Sequence, residues 1–132
     1  MPEDEADKTD GLPELPDATE SEQMYLVTVA RAAEEGACGP LPIAVLANAL
    51  RVSVVSANEK VHKLAERGLL EYSPYKGVEP TETGGRVARR VLRTRRLWSA
   101  FLAEHLGYSA VEADALACGL EHATPSHAAE RL

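Results

Sequence analysis

Apolar positions recur at helical spacing in six stretches of the chain and at strand spacing in one. Met24, Leu26, Val29, Ala30 and Ala33 share one face of a helix predicted to run to about Glu35. Thr19 and Glu22 form a T-x-x-E capping box at its start, and Gly36 stops it. Cys38-Gly39-Pro40 reads as a turn. Pro42 then opens a second helix as its first residue, with Ile43, Leu46, Ala47 and Leu50 facing inward. After a break at Arg51-Val52-Ser53, a third helix is expected from about Val54 to Arg67, capped by Ser53 and stopped by Gly68. Its expected apolar face is Val54, Ala57, Val61 and Leu64. Two short helices joined tightly, the second polar on its outer face, make a helix-turn-helix candidate.

Leu69 to Tyr72 reads as a strand, Ser73-Pro74-Tyr75-Lys76-Gly77 as a turn, and Val78-Glu79-Pro80 as the return, with Pro80 confined to an edge or strand end. A hairpin directly behind a helix-turn-helix is a wing. Thr81 or Thr83 can cap a long helix ending near Leu106 before Gly107. Ser109 and Glu112 open a further helix through about His122, and Thr124 with Pro125 opens a last one reaching Leu132. The predicted fold class is mainly α: an N-terminal winged helix-turn-helix followed by an all-helical domain.

Composition narrows the function. The chain of 132 residues is 45% apolar but 5% aromatic, which suits packed helices of Leu, Val and Ala. It has no apolar run long enough to span a bilayer and no basic-then-apolar start, so a cytoplasmic location with no membrane partner is expected. Two cysteines, Cys38 and Cys118, do not make a disulfide framework. The net charge of −7 argues against nucleic acid until its distribution is read. Residues 1–23 hold nine acids against Lys8, whereas residues 51–96 hold eleven Lys or Arg against five Glu. A basic middle behind an acidic start is compatible with DNA binding. Residues 1–18, with three prolines and few apolar side chains, are expected to form a disordered acidic tail. An enzyme is not expected: there is no glycine-rich phosphate loop, and His62, His105, His122 and His127 fall on separate segments. No small-molecule substrate is expected.

The sequence resembles the diphtheria toxin repressor family, which includes the manganese transport regulators, over roughly residues 20–132. The landmarks are Glu22-Gln23-Met24-Tyr25-Leu26, Val52-Ser53 through Lys63-Leu64, Gly68 through Val78, and Ala117-Cys118-Gly119-Leu120-Glu121-His122. The resemblance implies a metal-activated, homodimeric repressor that binds a double-stranded DNA operator to control metal-ion homeostasis. It divides the chain into a winged helix-turn-helix over 19–82 and a metal-binding and dimerisation domain over 83–132, without the SH3-like third domain that many members carry. Leu97, Trp98, Phe101, Leu102, Leu106 and the last helix are candidates for the dimer interface or for intradomain core.

Cys118, Glu121 and His122 stand at i, i+3 and i+4, so on a helix three donor groups share one face. Thiolate, carboxylate and imidazole suit Fe(II), Co(II), Ni(II) or Zn(II). The resemblance adds Met24 as a ligand from the first helix; alone, a methionine there is ordinary core filling. Manganese-preferring members resemble a harder set, with carboxylates where Met24 and Cys118 stand, so Fe(II) is favoured here over Mn(II). The family's second metal position matches Arg95, Ser99 and Asp114. Arginine has no lone pair to offer, so this position is expected to be degenerate, either with Arg95 supplying a fixed cation paired to Asp114 or Glu121 or through simple decay of the site. His127 is a further conceivable ligand.

By the same resemblance, the helix around Ser53–Lys63 enters the major groove. Ser53, Ser56 and Ala57 are small enough for close approach, and Asn58 and Glu59 can read base edges. Lys60, Lys63, Tyr75 and Lys76 should meet phosphates. The rival readings are a winged-helix regulator that uses Cys118 as a thiol switch without metal, and a protein-interaction module.

Overall fold

The computed structural model describes residues 15–36 and 39–132. Cys38 and residues 1–14 of the expected tail lie outside the described residues. Residues 15–18, expected within the disordered tail, have no regular secondary structure, yet Leu15 and Ala18 pack against the core. Among the described residues six helices and one hairpin follow in order: α1 Glu20–Glu34, α2 Ile43–Leu50, α3 Val54–Glu66, β1 Leu70–Ser73, β2 Gly77–Pro80, α4 Glu82–Leu106, α5 Ala110–Ala123 and α6 Ser126–Ala129. The fold is mainly α, a winged helix-turn-helix followed by helices.

Local cap chemistry sets most helix starts. Thr19 and Glu22 form a reciprocal box at α1, and Ser109 and Glu112 form one at α5. Ser53 caps α3 and Thr81, rather than Thr83, caps α4. Each side-chain oxygen satisfies a backbone N–H that has no partner inside the helix. Pro42 is the N-cap of α2 in extended conformation rather than its first helical residue, and it offers no side-chain acceptor. The last helix is shorter than expected: only Ser126–Ala129 are helical, with the chain turning on to Leu132.

The wing is antiparallel, with Tyr72 opposite Val78 and Ser73 opposite Gly77. On its other side Val78 exchanges two 2.8 Å backbone hydrogen bonds with Leu41, so β2 lies between β1 and the entry to α2. That crossing demands glycine at position 77, where a Cβ would stand 2.2 Å from the Leu41 carbonyl oxygen and φ is +134°.

The winged-helix core is built from Leu26 and Val29 of α1, Leu46 of α2, Val61 and Leu64 of α3, Leu69 at the hairpin entry, Leu70 and Val78 of the hairpin, and Val87, Val91 and Leu92 of α4. The N-terminal half of α4 thus packs with the wing. Its C-terminal half carries α5, where Leu102, Ala113 and Ala117 are buried. One continuous 25-residue helix therefore joins the two halves.

Candidate metal centre and nucleic-acid interface

Cys118, Glu121 and His122 come together on the inner face of α5, with one ligand atom from each lying within 4.8 Å of the others. The Glu121 side chain is 2% exposed and that of His122 4%. Glu121 Oε1 and His122 Nε2 are both buried without a hydrogen-bond partner among the described residues. Buried polar atoms are normally paired, because leaving one orphaned costs on the order of 1–3 kcal/mol. Two such atoms beside the Cys118 thiol, one of them on a carboxylate whose other oxygen, Oε2, lies 3.9 Å from the imidazole Nε2, fit a cation that would satisfy both. The donor set is right for a transition metal. A cleft of about 340 Å³, lined by Gln23, Thr94, Glu121, His122 and Thr124 among others, reaches this point from outside.

The surroundings shift the titration of both groups. Burial pushes the Glu121 carboxyl up to about 7, against the pull of Arg95 and Arg31 and with a further push from Asp114. Burial also holds His122 below the usual histidine value; Glu20 opposes this and Arg95 adds to it. Both shifts favour neutral side chains until a cation supplies compensating charge.

The other expected ligands are placed as follows. Met24 is half-buried on α1, one residue from Gln23. Gln23 reaches across to α5, where its Oε1 lies 2.6 Å from His122 Nδ1. Gln23 carries no signal in the sequence that would mark it, since its partner is 99 positions away. His127 is exposed on α6 and stands outside the donor group.

Arg95 is engaged rather than free. Its Nε and Nη2 donate to both oxygens of Asp114 at 3.2 and 2.9 Å, and its Nε stands 3.6 Å from Glu121 Oε1. Burial opposes its charge, but the hydrogen bond and charge of Asp114, with Glu121 and Cys118, more than offset this and raise its pKa. Ser99 lines the adjoining groove with Arg31, Arg95 and Asp114.

On the winged helix, Asn58, Glu59, His62 and Lys63 share one outer face of α3. Ser53 and Ser56 are exposed at its start, although the Ser53 hydroxyl is spent on the cap, accepting from the Ser56 N–H at 3.0 Å. Tyr75, fully exposed with φ +67°, and Lys76 form the tip of the wing. Two expectations are corrected. Ala57 is fully buried against the core, so its methyl cannot face a duplex. Val54, expected inward, is 53% exposed, as is its neighbour Val55 at 69%. The buried face of α3 begins only at Ala57 and continues through Val61 and Leu64. Of the residues expected in the dimer interface or the intradomain core, Leu102 is buried within the chain, whereas Phe101 and Leu106 are exposed.

A winged helix joined through one long helix to a buried thiol–carboxylate–imidazole cluster defines the class of metal-responsive winged-helix regulators. Comparison with known proteins agrees. The family description "Iron dependent repressor, N-terminal DNA binding domain" matches residues 17–78, and "Iron dependent repressor, metal binding and dimerisation domain" matches residues 81–132. The chain belongs to this iron-dependent repressor family, a family of metal-dependent transcriptional repressors. An uncharacterized HTH-type transcriptional regulator of Methanocaldococcus jannaschii is 33% identical over 93 residues, 70% of this chain and 74% of that protein. The iron-dependent repressor IdeR of Mycobacterium tuberculosis is 34% identical over 119 residues, 90% of this chain and 50% of that protein. A solved manganese-dependent transcriptional repressor in complex with manganese matches with a TM-score of 0.71 at 34% identity, covering 83% of this chain and 50% of that one. The chain therefore spans about half the length of IdeR and of that manganese-dependent repressor. Among the described residues, no helix is long and apolar enough to cross a membrane.

Proposed function

We propose that this protein is a cytoplasmic, homodimeric repressor that binds operator DNA when it holds one Fe(II) ion per chain. The observation that carries the reading is the pair of orphaned buried atoms, Glu121 Oε1 and His122 Nε2, beside the Cys118 thiol. Cys118, Glu121 and His122 hold the metal from α5, and Met24 completes the set from α1. When bound, the ion would supply positive charge that keeps Glu121 ionised, with donors from both α1 and α5. Two sulfur donors, one nitrogen and one oxygen lean toward Fe(II) over Mn(II). The relative named for manganese shows that the fold serves other ions in other chains.

The functional division is 19–82 for DNA and 83–132 for metal and dimerisation. Ser53, Ser56, Asn58 and Glu59 approach base edges, while Lys60, Lys63, Tyr75 and Lys76 meet phosphates. Arg95, Ser99 and Asp114 do not take a second ion. The guanidinium has no lone pair, and its bidentate pairing with Asp114 already occupies that carboxylate.

The test is binding to the DNA upstream of the protein's own coding sequence, with and without Fe(II), under anaerobic conditions. Binding should require the metal, and Cys118→Ala should lose it. Equal binding under chelation overturns the reading in favour of a metal-independent or thiol-based regulator. Two tight sites per chain in a metal titration overturn the single-site assignment.

A further inference from the structure

Neutral histidine can present a lone pair from either ring nitrogen, and the hydrogen bond made by one nitrogen decides which is free. In water the Nε2–H form is preferred, which would turn a proton, not a lone pair, toward Cys118 and Glu121. The structure holds a device against this. Gln23 Nε2 donates to the Ala18 carbonyl at 3.0 Å. Its amide orientation is therefore set from behind: turning it over would place its oxygen against the Ala18 oxygen. What remains facing α5 is Gln23 Oε1, an acceptor only, 2.6 Å from His122 Nδ1. A contact of that length to a pure acceptor requires the proton on Nδ1. His122 Nε2 is then an unprotonated, buried and unpartnered donor beside the other two.

We infer that Gln23 is a positioning residue of the metal centre, holding His122 in the Nδ1–H tautomer so that Nε2 is ready to ligate before any ion arrives. The inference rests on the metal-site reading above. Groups that orient ligating histidines in this way are worth about 10–100-fold in metal affinity. The same contact ties the first turn of α1 to α5. The residue that sets the ligand's tautomer thus lies beside the ligand proposed from that helix, Met24.

The tautomer is read directly by long-range proton–nitrogen NMR of the metal-free full chain labelled with 15N-histidine, above the titration range of His122, with His122→Gln identifying its signals. Cobalt(II) affinity is read in parallel from the thiolate-to-cobalt absorption. The wild type should show His122 protonated on Nδ1. Gln23→Ala should abandon that form and bind cobalt about 10–100-fold more weakly. Gln23→Glu, which keeps an acceptor, should restore both. A merely structural role would alter neither the tautomer nor its rescue. If His122 carries its proton on Nε2 in the wild type, the inference falls. It also falls if Gln23→Ala leaves tautomer and cobalt affinity unchanged while wild type binds cobalt. A wild type with no cobalt–thiolate absorption instead overturns the metal-site reading itself, and this inference with it.

Discussion

Glu121 concentrates the energetic tension of the molecule in one carboxyl group. Its pKa, raised by burial from 4.5 to about 7, means that the folded chain prefers the proton more than the unfolded chain does. Its contribution to stability is therefore complete below pH 4.5 and is lost as pH rises through about 7. His122 acts oppositely: its lowered pKa withdraws stability as pH falls below 6.5. Between pH 6.5 and 8 the opposing His122 effect is fading and Glu121 dominates, so metal-free protein should lose about 1 kcal/mol more over that interval than Glu121→Gln does. Thermal melts across the range check this. Glu121→Gln should flatten the curve, and a curve that stays steep in the variant would locate the effect elsewhere. At the same scale, Gly84 has no room for a methyl, because a Cβ would fall 1.8 Å from the Leu69 carbonyl oxygen. The neighbour is backbone and cannot rotate away. Gly84→Ala should destabilise by roughly 2–3 kcal/mol, visible as a lowered Tm.

Among the elements, α1 is held at both ends of its function. Gln23 binds α5, and the preceding residue, Glu22, accepts from Arg67 at the C-cap of α3 at 2.9 Å. Arg67 also donates to the Asp17 carbonyl. The first turn of α1 thus touches the metal centre on one side and the recognition helix on the other. An exposed ion pair adds well under about 1 kcal/mol to stability, so Arg67→Ala should fold normally. What it should lose is coupling: metal affinity stays, while the gain in DNA affinity caused by metal shrinks a few-fold, as titration of DNA at zero and saturating metal would show. An unchanged gain removes Arg67 from the route. This arrangement also marks where sequence reasoning ends. The boxes at Thr19–Glu22 and Ser109–Glu112, and the Ser53 cap, are legible because cap chemistry lies within three residues. The Cys118–Glu121–His122 face is legible for the same reason, being a matter of spacing on one helix. Gln23 with His122 and Arg67 with Glu22 join residues 99 and 45 positions apart, and only the packed fold brings them together. The exposure of Val54 is not legible, because apolarity and helical spacing do not say whether anything packs against that turn. Tyr75 at φ +67° gives no warning either, since turns favour glycine or asparagine there.

At the scale of the whole molecule, charge and assembly act together. The negative charge is concentrated in the first 23 residues, nine acids against one Lys, and most cations of residues 51–96 stand on α3, the wing and the long helix. Exposed Phe101 and Leu106 at the end of α4, with Val111 opening α5, supply an apolar face in the region matched to the family's dimerisation domain. A second copy seated there doubles the DNA-facing surface. Each neutralised phosphate releases condensed counterions, so the slope of log affinity against log salt counts the contacts. If Lys60, Lys63 and Lys76 of both copies each meet one phosphate, the slope should lie near about −5. Phe101→Glu with Leu106→Glu should give monomers in sedimentation experiments. Their slope should fall to about −3, with metal affinity intact because α5 keeps its donors. A monomeric variant that keeps the full slope would mean that one copy carries every phosphate contact, and dimerisation would then serve something other than the grip on DNA.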